Sequence, residues 1–159
     1  MDQKMTSIAL GNFVKTRILK YEAFLILAIA LCLLLVFLDI PFHGIITVLV
    51  LSSIAVVYFF SAFAPDSDPE ATGWENFIGK LTGFTSAVLL IGILYKIQHW
   101  PGSEIMIILG MTTMGFTVVF TLIRWLRKPE QSSNLKWLFF RQVMLIIIGL
   151  LLTFGKVTL

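Results

Sequence analysis

Four long apolar runs, joined in pairs by very short turns, constrain this chain more than any other feature. They cover about 22–38, 44–64, 77–97 and 103–126. Each approaches the ~20 residues that an α-helix needs to cross a ~30 Å hydrocarbon core. Only 39–43 separates the first run from the second, and the third passes to the fourth through His99, Trp100, Pro101 and Gly102. Turns this short force each pair into a tight antiparallel hairpin. The chain is 58% hydrophobic and only 13% charged. A soluble domain of this size could not cover so much apolar surface with so few charges. The fold class expected is therefore an all-α integral membrane protein, a bundle of about five transmembrane helices built from repeated hairpins.

The division that follows is an N-terminal cytoplasmic segment (1–21), in which an interfacial helix competes with a frayed tail, and a first hairpin (22–64). An acidic cytoplasmic loop (65–76), a second hairpin (77–126), and a basic loop with a fifth span (127–159) complete it. The run from Ala23 ends without a small-residue cleavage site, so it reads as a retained span rather than a signal peptide. In the last segment Arg141 and Gln142 interrupt the apolar stretch. An arginine near one end of a span can snorkel to the headgroups. With five spans, ten basic residues fall on the side of the N-terminus: Lys4, Lys15, Arg17, Lys20, Lys80, Arg124, Arg127, Lys128, Lys136 and Arg141. Only Lys96 and Lys156 fall on the other. The positive-inside rule then places the N-terminus in the cytoplasm, in a bacterial inner membrane. Basic residues gathered beside apolar runs do not form a nucleic-acid stripe, and the net charge of +3 needs no such partner.

The hairpins look duplicated. LLLVFLDIPFHG (33–44) parallels LIGILYKIQHWPG (90–102), pairing Asp39 with Lys96 at an offset of 57, or 58 at Gly44 and Gly102. The same offset carries Gly92 to Gly149, which suggests half of a third copy. The structural turn comprises Lys96, His99, Trp100, Pro101, Gly102 and Glu104. Its counterpart holds Asp39, Pro41, His43 and Gly44. Trp100 suits the headgroup region, and Pro101-Gly102 suits a turn with a positive φ. Ser103 is placed to cap the next helix. Gly110, Thr113, Gly115 and Thr117 form a small-residue helix-packing face, inside the bundle or toward a partner.

The stretch YKIQHWPG (95–102), between two spans, resembles the turn of small Bacteroidota membrane proteins. These include the gliding-motility and type IX secretion L-subunit (GldL) family. The exit of the second span, SAFAP (61–65) followed by acids and Trp74, is similar to the corresponding exit in that family. The resemblance implies the hairpin and its lineage. Motor L-subunits carry an acidic residue within the membrane, and spans 2 and 4 here carry none, so the motor activity is not implied.

No GxSxG, Walker A or HExxH motif occurs. His43 and His99 read as turn residues rather than ligands, so no cofactor or metal is expected. The lone Cys32 reads as a packing residue. The function expected is non-enzymatic: a structural or accessory subunit of a cell-envelope membrane complex. Its partners would be the lipid bilayer and a membrane protein, or a second copy of itself. The alternative is a small transporter or ion-channel component.

Overall fold

The computed structural model describes residues 9, 10, 13, 14, 21–38, 40–64, 73–127 and 132–154, with the side chains of 75, 132–137 and 154 left aside. Asp39, most of segment 1–21, the acids at 66–70 and residues 128–131 lie outside this set. Among the described residues five long helices form: α1 (Glu22–Phe37), α2 (His43–Ser61), α3 (Gly73–Ile97), α4 (Ser103–Arg127) and α5 (Ser132–Phe154). No strand occurs among the described residues.

Three helical stretches are long and apolar enough to cross a membrane: His43–Ser61, Asn76–Ile97 and Ser103–Arg127. The apolar helices Glu22–Phe37 and Leu138–Thr153 are shorter. Glu22–Phe37 is 16 residues, or about 24 Å of helix, and Leu138–Thr153 is the apolar part of the 23-residue α5. The helices reach further into the expected loops than the hydropathy does. α3 begins at Gly73 rather than 77, and α5 at Ser132 rather than 135. The rings explain the first of these extensions, because Trp74 stacks on Phe77 at 5.5 Å and meets Phe120 of α4 edge-on at 5.5 Å.

α3 is the central helix. It packs most extensively on α4 and α2, and α5 lies against α4 and, less closely, α3. α1 packs on α2. The core therefore runs along α3: Leu89, Leu90, Ile93 and Leu94 meet Leu51 and Ile54 of α2, Ile107 and Met114 of α4, and Leu145 of α5. α4 packs on α3 through one side and turns a broad apolar side outward, with Ile105, Ile108, Leu109, Phe116 and Val119 exposed.

Several hydroxyl groups within the apolar helices are satisfied locally, although the buried Thr47 hydroxyl has no partner among the described residues. Thr82 Oγ1 donates to the Ile78 carbonyl (2.9 Å), Ser86 to Thr82 (2.8 Å), Thr112 to Ile108 (2.8 Å) and Thr153 to Gly149 (2.7 Å). Ser52 donates to the Val48 carbonyl in the same way. A side chain bonded one turn back can sit in an apolar medium without an orphaned donor.

Candidate functional site: a buried polar layer

Glu22 opens α1, and Arg141 lies three residues into the apolar part of α5. Arg141 Nη1 donates to Glu22 Oε1 at 2.7 Å. Both side chains are withdrawn from the surface, with 3% and 11% exposure for Arg141 and Glu22. The guanidinium carbon also sits 4.5 Å from the centre of the Tyr58 ring of α2. Arg141 therefore does not snorkel. Taking a guanidinium into an apolar interior is costly unless a counter-charge and a π-face receive it, and here both do.

The neighbouring side chain continues the layer across the bundle. Gln142 is fully buried, and its amide nitrogen donates to Thr82 Oγ1 of α3 (3.3 Å) and Thr117 Oγ1 of α4 (3.2 Å). Each threonine has already given its own proton to a carbonyl one turn back, so its oxygen is free to accept. Gln142 Oε1 has no hydrogen-bond partner among the described residues. All five helices thus contribute to one layer: Glu22, Tyr58, Thr82, Thr117, and Arg141 with Gln142. The pair also joins the first and last helices, which share little other packing.

This layer is a charge-compensated clasp between α1 and α5. In the sequence Glu22 stands at the edge of one apolar run and Arg141 interrupts another, and neither segment alone pairs them. One signal was available: Glu22, Thr82 and Gln142 are spaced 60 residues apart, in alternate helices.

The turn residues lie at the opposite end of the bundle. Lys96 Nζ donates to Glu104 Oε1 across the α3–α4 turn at 3.3 Å, an exposed pair of small energetic value. His99 adopts φ 55° and Gly102 φ 85°. Trp100 N–H returns to the Tyr95 carbonyl (2.8 Å), closing the end of α3, and Trp100 meets the Tyr95 ring at 5.1 Å. Met106 N–H donates to the Gly102 carbonyl (3.2 Å), so Gly102 rather than Ser103 occupies the cap position of α4. Ser103 is the first helical residue and is buried.

The α1–α2 turn has the same backbone bonds at a different register from the one the sequence pairing used. Leu38 N–H to Leu34 O, Ile40 to Leu35 and Ile46 to Phe42 correspond to Gln98 to Leu94, Trp100 to Tyr95 and Met106 to Gly102. The offset is 60, which aligns Pro41 with Pro101 and Phe42 with Gly102. Phe42 takes φ 68° where its counterpart is glycine. The pairing at 57–58 followed side-chain likeness, whereas the turn geometry follows the prolines. His43 is then the first residue of α2, with Nδ1 3.0 Å from the Ile40 carbonyl. Gln98 Nε2 donates to the Gly44 carbonyl at 3.2 Å and links the two turns. Among the described residues no cluster of His, Cys, Asp and Glu is arranged to hold a metal ion.

The small-residue face divides. Gly110 and Thr117 face the interior, Thr113 is half-buried, and nothing lies within 4 Å of a side chain built at Gly115.

No curated protein and no solved structure matches the chain. Residues 81–139 match the model of one family, described as the GldL N-terminal domain. The matched stretch takes in most of α3, its turn, all of α4 and the start of α5, whereas SAFAP at 61–65 lies outside it. Through its second hairpin, this chain is related to the GldL-like family.

Proposed function

We propose that the chain is a five-span, non-enzymatic subunit of a bacterial inner-membrane complex of the gliding and secretion type, with its N-terminus in the cytoplasm. The match of the α3–α4 hairpin to the GldL N-terminal domain is the observation that carries this reading. The outward apolar surface of α1, α2 and α4 supports a place in lipid, since exposed patches of this extent are rare on soluble monomers. The shorter α1 fits as a span if it tilts little and the bilayer adapts to it, and α5 runs 23 residues.

Two experiments test the proposal. Purification from the native membrane in mild detergent, followed by mass spectrometry, is expected to recover a stoichiometric membrane-protein partner. A homogeneous particle without partners would instead favour the transporter or channel reading, for which the buried Glu22–Arg141 pair is the supporting feature. Ion flux in liposomes would then be the assay. For orientation, a reporter inserted after Gly102 is expected outside the cytoplasm and one after Gln131 inside. Reversed labelling would sink the topology.

A further inference from the structure

At the end of the bundle opposite the turns, α3, α4 and α5 leave a cleft between them. It encloses about 50 Å³ and is open on one side. Its apolar walls are Trp74, Ile78, Phe120 and Leu138, and its polar groups include Thr82 and the half-buried Arg124. Gly79 lies on its rim, where an added side chain would meet nothing within 4 Å.

We propose that this cleft binds an anionic phospholipid, with the phosphodiester at Arg124 and the glycerol and first methylenes against Phe120, Ile78 and Leu138. Three observations converge on that occupant. Arg124 and Arg127 end α4, and the exposed Lys80 stands beside Gly79 on α3, so these ends of α3 and α4 carry three cations. The cleft itself is mostly apolar, which suits a phosphate carrying a hydrocarbon chain better than a free, strongly hydrated ion. Around it, Phe77, Ile123 and Leu126 are exposed, so the surface that the cleft joins is one that acyl chains can cover. Basic pockets between transmembrane helices are a recurrent way of holding anionic headgroups, and a tryptophan at the mouth matches the interfacial preference of that ring. The enclosed volume suits the phosphate and its nearest atoms, and the remainder of the lipid would lie along the bundle surface.

The inference rests on the membrane-spanning reading, and its test separates the two. The full chain is reconstituted in nanodiscs containing phosphatidylglycerol or phosphatidylcholine with identical acyl chains, and retained lipid is read by native mass spectrometry. Selective retention of phosphatidylglycerol is expected. Arg124→Gln should weaken it about tenfold, the scale of one lost charge-assisted contact. Gly79→Leu should weaken it by obstructing the groove without touching a charge. Gly79 has open space around it, so this variant keeps the test valid if Arg124→Gln fails to fold. Lys80→Gln, outside the cleft, should retain the lipid. The proposal is overturned if Gly79→Leu binds as well as the parent chain. It is overturned equally if Lys80→Gln loses as much lipid as Arg124→Gln, which would mean general charge attraction. Displacement of the lipid by millimolar inorganic phosphate would reassign the site to the free ion. Failure of the chain to enter nanodiscs at all would overturn the spanning reading itself.

Discussion

Arg141→Ala is expected to be among the most damaging single substitutions in this chain. It leaves the Glu22 carboxylate buried at the edge of an apolar bundle with its guanidinium partner gone. Breaking a buried ion pair from one side typically costs about 3–5 kcal/mol, because the remaining charge must be neutralised or dragged to water. The loss falls on the contact that ties α1 to α5, so α1 should separate from the rest of the bundle before the α3–α4 hairpin melts. Thermal unfolding in detergent, followed by a cysteine-reactive dye, would show this sequence of events. Cys32 is buried on α1 and should label early in the variant. The double variant Glu22→Leu with Arg141→Met removes both charges and keeps apolar volume. It should recover most of the lost stability, because the desolvation of two ions offsets much of their mutual attraction. A double variant as unstable as Arg141→Ala would count against charge compensation as the role of the pair. It would point to the shape of the arginine and its packing over Tyr58 instead.

The hairpin architecture was readable because its causes are local. A long apolar run specifies a helix in lipid, and a four- or five-residue turn leaves its neighbour no option but to return alongside. Pro101 and Gly102 mark the second turn openly, the first by its fixed φ and the second by a positive φ. The first turn was harder to place. Its αL position is filled by Phe42, a residue that sequence logic does not put there, so the pairing slipped by up to three positions. The centrality of α3 was also hidden. All the runs are apolar on most sides, and such helices do not announce which face meets protein and which meets lipid. The buried layer was hidden for a different reason. Each of its members looks ordinary alone: a carboxylate at a helix start, an arginine near a span end, two threonines that bond their own helix. Only the tertiary arrangement turns Arg141 inward over Tyr58 and brings Gln142 between Thr82 and Thr117.

Gly110 and Gly115 should respond in opposite ways to the same change, although both belong to the small-residue run of α4. A Cβ on Gly110 would lie 2.9 Å from Leu89 Cβ and 3.0 Å from Leu89 Cα, at a close approach of α4 to the central helix. Leu89 is itself fully buried and part of the α3 backbone wall, so it cannot yield by turning a flexible tip aside. Gly110→Val therefore drives α3 and α4 apart and is expected to cost about 1–3 kcal/mol or more, as overpacking in a closely fitted interior does. Gly115→Val places its side chain in open space and should leave unfolding in detergent nearly unchanged. The comparison controls for valine's own helix propensity, which is nearly the same at both sites. Chemical denaturation of the two variants, followed by helical circular dichroism, decides the matter. Equal losses would mean that helix propensity, and not the contact with Leu89, governs the α3–α4 pair. Loss at Gly110 alone would fix the second hairpin as a unit held by backbone proximity, with its outer face still available to lipid or to another subunit.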